Sequence, residues 1–166
     1  MDNTLTDNIA RHPYFPMMID LQGKHVFIAG GGRVASRRAD TLLRCGALIT
    51  AVSPVFSPAF PEAARRITRP FLPEDLTADF VLAVAATNSR ETNALICSVA
   101  HALAIPVNVC DNKTECDFFF PSLISHDYAA VSVCTAGISA SLTRRLSDKL
   151  RKVWDSWVRE AKSPVL

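Results

Sequence analysis

The sequence has no long apolar run. The longest, Phe80 to Ala86, is far short of the roughly 20 residues needed to cross a bilayer. It has no excess of charge either. Lys and Arg number 18, Asp and Glu 16, for a net charge of +2, which removes the usual reason to expect a bulk nucleic-acid binder. The first residues, Met1-Asp-Asn-Thr-Leu-Thr-Asp-Asn, lack the basic and apolar regions of a secretory signal. We expect neither membrane spanning nor export. Paired cysteines are missing too: Cys45, Cys97, Cys110, Cys116 and Cys134 form an odd set with no Cys-x-x-Cys spacing. That argues against a disulfide framework and a zinc site, and several of the five sit in apolar runs, where cysteine packs as a small hydrophobe. A reducing, cytoplasmic compartment fits. His12, His25, His101 and His126 show no ligand spacing, so no metal is expected.

What is present is an ordinary globular composition, 49% apolar and 20% charged. Residues 1–15 are polar and aperiodic and read as a flexible arm. His25–Ala29 is a nearly continuous apolar run, as in a buried parallel strand. It leads into Gly30-Gly31-Gly32, and Val34, Ala39, Leu42 and Leu43 then form a helical stripe that Gly46 would stop at its C′ position. Leu48–Val52 reads as a second strand. Four of the ten prolines fall in Phe56–Pro73, so elements there must be short. Phe80–Ala85 reads as another buried strand. Asn88 with Glu91 resembles a helix cap, and Leu95, Val99, Ala102 and Leu103 mark the helix. Pro106–Val109 reads as one more strand. Strands alternating with helices predict a βαβ succession with an open parallel sheet.

After Asp111 the pattern changes. Phe118–Phe120 and Ala129–Val133 read as two strands joined through Pro121 to Tyr128. From Ser139 onward Leu142, Leu146, Leu150, Val153, Trp154 and Trp157 share one helical face. A hairpin and one amphipathic helix bury little alone, so they are expected to pack on the first unit or on another subunit.

Gly30-Gly31-Gly32-Arg33-Val34-Ala35 satisfies G-x-G-x-x-G/A. Gly30 would permit the tight turn, Gly32 the close approach of a pyrophosphate, and Ala35 close helix–strand packing, with the helix N-terminus facing the anion. A glycine-rich turn without a ligand is the alternative. The second strand ends in Ser53-Pro54 where the fingerprint carries an acidic residue for the ribose 2′-hydroxyl. NAD and NADP are therefore both compatible, and Arg33 is a candidate to meet a 2′-phosphate. Asp111, with Asn108 nearby, follows the strand Pro106–Val109, at the end where open sheets bind ligands. It reads either as a general base or as a turn residue. Cys134 to Ser141 is a run of small polar residues suited to a carboxylate-bearing ligand or to a plain loop and cap. Arg144, Arg145, Lys149, Arg151 and Lys152 form a basic helical face, solvated or anchoring an anion.

Gly30 to Ala39 resembles the GGGxVAxRK segment of the precorrin-2 dehydrogenases of sirohaem synthesis. Ala85-Ala86-Thr87-Asn88, Val107 to Asp111, Phe118 to Ser122, Val131 to Gly137 and Leu142 to Leu150 resemble further family motifs in order, over roughly residues 17 to 152. The resemblance implies oxidation of precorrin-2 to sirohydrochlorin with NAD, NADP being the alternative. It implies a Rossmann-like parallel sheet with helices on both faces, residues 16–113, and a small α+β dimerisation segment of strands and C-terminal helix, residues 114–166. It places the acid/base on Asp111. Cofactor contacts are expected at Gly30, Gly32, Arg33, Val34, Ser53, Pro54, Val55 and Thr87, and substrate contacts at Asn108, Thr135 and Arg144. A homodimer is expected. Some relatives also insert iron; this chain ends soon after the matching helix, so a separate chelatase partner is expected. A bifunctional dehydrogenase and ferrochelatase, or a non-catalytic tetrapyrrole- or dinucleotide-binding protein, are the rival readings.

Overall fold

The computed structural model describes residues 14–127 and 129–162; residues 1–13, most of the expected arm, lie outside it. Five short strands, β1 (His25–Ala29), β2 (Leu48–Val52), β3 (Arg65–Ile67), β4 (Leu82–Ala85) and β5 (Val107–Val109), form one sheet in the order β3-β2-β1-β4-β5. All neighbours run parallel. Helices α1 (Arg33–Arg44) and α2 (Arg90–Ala102) cover opposite faces. Val26, Ile28, Ile49 and Val84 pack toward Ala35, Ala39 and Leu42 of α1. Phe27, Ala29, Ala83, Val107 and Val109 pack toward Ile96, Cys97 and Ala100 of α2. Burial on both faces explains why these strands read as continuous apolar runs. The strand order reverses between β1 and β4, which opens a crevice beyond their C-terminal ends.

Local chemistry fixes the element ends. Gly46 has φ +81° and donates its N–H to Leu43 O at 2.9 Å, ending α1 as expected of a C′ glycine. The cap of α2 is Ser89 instead of Asn88: its hydroxyl accepts the Thr92 N–H at 3.1 Å. The buried face of α2 is Asn93, Ile96, Cys97 and Ala100, with Leu95 and Leu103 outward. β3 lies inside the proline-rich stretch, where three residues give no periodicity to read. β5 would leave an open edge, but Asp117 covers it: its N–H donates to Val107 O and its carboxylate accepts the Val107 N–H, each at 2.9 Å.

Phe118–Phe120 is not a strand. Its backbone crosses to the α1 face, where Phe118 and Phe120 pack on the core, because Asn108 ties it down by donating to Phe118 O at 2.9 Å. The hairpin is β6 (Ser122–His126) and β7 (Ala129–Val133), antiparallel, with Asp127 at φ +52° in its turn. Helix α3 (Ala140–Lys162) packs on both hairpin strands. No helix of the described residues is long and apolar enough to cross a membrane.

Candidate functional site

A cavity of about 670 Å³ opens at the crevice between the ends of β1 and β4. Gly30, Gly31 and Gly32 form its floor, Ser53, Pro54, Val55 and Phe56 one wall, and Thr87 to Ser89 another, with Pro70 and Phe71 across the mouth. The glycines have separate reasons to be glycine. Gly30 has φ +121°, and a Cβ there would lie 2.3 Å from Ala86 O. A Cβ on Gly31 would lie 2.2 Å from Val55 O. Gly32 has ordinary dihedrals and open space where its Cβ would stand, so nothing of the chain prevents close approach to its backbone. It is the N-cap of α1, whose first turn holds no acidic residue. Unsatisfied N–H groups and the positive helix end face the cavity floor, the environment a pyrophosphate requires. The residues therefore fit a dinucleotide.

Of the expected cofactor contacts, Gly30, Gly32, Ser53, Pro54, Val55 and Thr87 line this cavity. Arg33 and Val34 are exposed on the adjoining first turn of α1. Ser53 folds its wall inward by donating to Val55 O at 2.8 Å. No carboxylate follows β2. The opposite wall is held by Asn93, fully buried: its Oδ1 accepts from the Thr87 N–H at 3.1 Å and hydroxyl at 2.8 Å, and its Nδ2 donates to Thr87 O at 3.2 Å. Asn93 was not singled out from sequence. The available signal was a polar residue in register with Ile96, Cys97 and Ala100.

The expected substrate-side residues are dispersed. Asp111 follows β5 at the next strand end, exposed, and accepts from Arg90 Nη1 at 2.6 Å; Arg90 Nη2 donates to Glu115 at 2.5 Å. Asn108 is buried and occupied in holding Phe118. Thr135 lies between the hairpin and α3, where its hydroxyl meets Thr143 at 2.8 Å and Ser139 O at 2.9 Å. Arg144 is exposed on α3, 3.8 Å from Asp148. Among the described residues no group of three His, Cys, Asp or Glu side chains is placed to hold a metal ion.

Comparison with known proteins follows the same geometry. Residues 17–122 match the family described as “Putative NAD(P)-binding”. Siroheme synthase 2 of Aeromonas hydrophila is 40% identical over 143 residues, covering 84% of this chain and 30% of that protein. The siroheme synthase of Nitrosomonas eutropha is 36% identical over 143 residues, covering 82% and 30%. The chain thus spans about 30% of the length of these relatives. Among solved structures, that of SirC, precorrin-2 dehydrogenase, superposes with a TM-score of 0.71 at 26% identity, over 88% of this chain and 76% of that one.

Proposed function

From the premise that this chain belongs to the NAD(P)-binding family matched over residues 17–122, we propose that it oxidises precorrin-2 to sirohydrochlorin with NAD in sirohaem biosynthesis. The observation that carries the reading is a dinucleotide-shaped cavity with a carboxylate, Asp111, at the neighbouring strand end, in a fold that superposes on a precorrin-2 dehydrogenase. The bound nicotinamide supplies a hydride acceptor.

The oxidation removes a hydride and a proton from the tetrapyrrole. Gly32 and the start of α1 would hold the pyrophosphate, with Ser53, Pro54, Val55 and Thr87 holding the rest of the dinucleotide. Asp111 takes the proton at its carboxylate, and Arg90 keeps that carboxylate oriented. Thr135 and Arg144 come into play from the hairpin and α3, whose apolar surface suits a second copy of the chain. The homodimer brings these elements to the rim of the cleft. A separate chelatase partner inserts iron. The reading places the chain in the cytoplasm, where its five free thiols stay reduced.

Anaerobic conversion of precorrin-2, followed by absorbance with NAD or NADP, tests this. The unmutated chain forms sirohydrochlorin, and Asp111→Asn loses about 10²- to 10⁴-fold in kcat. With no carboxylate after β2 to repel a 2′-phosphate, NADP supports a kcat/KM within about tenfold of NAD. A folded chain without turnover on either cofactor overturns the dehydrogenase reading, and an iron-dependent product spectrum overturns the separate chelatase.

A further inference from the structure

Arg38 is the anomaly among the arginines. Of the three partly buried arginines among the described residues, Arg69 and Arg90 each reach a carboxylate. Arg38 reaches none among the described residues, yet it is partly buried, and its Nε is sealed from water with no hydrogen-bond partner. Its guanidinium lies over the ring of Phe120, 4.1 Å from the centroid. Phe120 is itself fixed, because Asn108 holds the backbone two residues earlier at Phe118. Desolvation draws Arg38 below the ordinary arginine range, and neighbouring Arg37 adds to the effect. The Cys110 thiol stands beside the guanidinium and is held by desolvation above its own usual value despite that charge. Cys110 therefore stays neutral near pH 7 and offers no counter-charge. A stacked, partly desolvated cation without a counter-ion is costly to maintain, and an incoming anion offsets that cost.

The position of Arg38 selects the anion. Phe120 and Cys110 stand at the β5 side of the sheet, with Asp111 next in the chain. The wall of Ser53 and Pro54 follows β2, on the far side of β1. A 2′-phosphate of the cofactor belongs on that far side. We infer that Arg38, stacked on Phe120, is the binding residue for a peripheral carboxylate of the tetrapyrrole substrate, fixing the macrocycle beside Asp111. This inference rests on the precorrin-2 reading above and adds the residue that orients the substrate. Planarity matters: a guanidinium takes a carboxylate in bidentate fashion while keeping its face on the ring, which lysine cannot do.

The test uses the full chain, its Arg38→Gln and Arg38→Lys variants, and uroporphyrin as a stable tetrapyrrole polycarboxylate whose fluorescence reports binding. Arg38→Gln is expected to raise the uroporphyrin Kd and the KM for precorrin-2 about tenfold. Its kcat/KM falls more than its kcat, and its NAD Kd and melting temperature match the unmutated chain. Arg38→Lys recovers only part of the loss. Unchanged uroporphyrin and precorrin-2 affinity in Arg38→Gln overturns the inference. So does a parallel fall of uroporphyrin binding, NAD binding and melting temperature, which would mark Arg38 as a packing residue. Absence of turnover by the unmutated chain overturns the underlying dehydrogenase reading and this inference together, and is told apart by being present before any substitution.

Discussion

At the scale of single residues, Gly30 and Gly32 occupy one loop for different reasons, and alanine separates them. Gly30 needs φ +121° and backbone contact with Ala86. Gly30→Ala therefore imposes strain of about 1–3 kcal/mol and pushes β1 away from β4, lowering both melting temperature and NAD affinity. Gly32→Ala meets nothing of the chain within 4 Å and has an ordinary φ of −81°, so stability changes by less than about 0.5 kcal/mol. Its methyl group intrudes where the pyrophosphate approaches, and the NAD Kd rises about tenfold or more. Thermal melts with NAD titrations on the two variants check this; equal destabilisation by both would contradict it. The residues the sequence left hidden are those acting through others. Asn93 and Arg90 touch the cavity wall and Asp111 across 6 and 21 positions of chain, and neither belongs to a local motif.

At the scale of elements, the cavity mouth depends on a clasp. Asp75, at the end of a short 3₁₀ turn (Pro73–Asp75), accepts from Arg69 Nη1 at 2.7 Å, also pairs with Arg69 Nη2, and accepts the Leu72 N–H at 2.8 Å. The loop it closes carries Pro70 and Phe71, which line the mouth. Arg69, then the Leu72 N–H, hold the Asp75 carboxyl below its usual range. A depressed carboxyl stabilises the fold above its unfolded value, near 3.8, and that contribution is lost as pH falls through the folded one. Asp75→Asn removes it at every pH: we expect a loss of about 1–3 kcal/mol at pH 7, a flatter acid limb in denaturation, and a weaker NAD affinity. A variant with unchanged acid unfolding would show the clasp to be idle. This clasp has no sequence signature: Arg69 and Asp75 stand six positions apart in a proline-rich stretch without periodicity. Strands buried on both faces, such as Leu48–Val52, were legible because their apolar runs have few alternatives. Phe118–Phe120 reads as a strand for the same reason, but the Asn108 side chain, ten positions away, ties its backbone down, and Phe118 and Phe120 pack on the core.

At the scale of the whole molecule, the five-stranded unit closes its own core on both faces, whereas the hairpin and α3 do not. Leu142, Leu146 and Trp157 remain 40%, 41% and 52% exposed, with Ile138 at 78%. A hollow of about 400 Å³ lies among Ala129, Trp154, Trp157, Val158 and Ala161. The helical stripe read from sequence is real, but α3 turns much of it outward, away from the hairpin it covers. An apolar face of this kind on a 23-residue helix is what a partner surface requires, and the proposed homodimer supplies one with matching chemistry on both sides. In that proposed dimer Trp157 is the expected anchor, since aromatic residues in such hollows carry most of an interface's energy. Trp157→Glu is therefore expected to raise the dimer dissociation constant at least about 100-fold, giving a monomer by light scattering at micromolar concentration. NAD binding in the cavity between β1 and β4 is built by one chain alone and should persist in that monomer. Precorrin-2 turnover, which in this reading draws Thr135 and Arg144 to the cleft through the dimer, should fall with the loss of assembly. A Trp157→Glu monomer with full turnover would show that one chain completes the substrate site; an unmutated chain that is monomeric at the same concentration would remove the dimer from the mechanism.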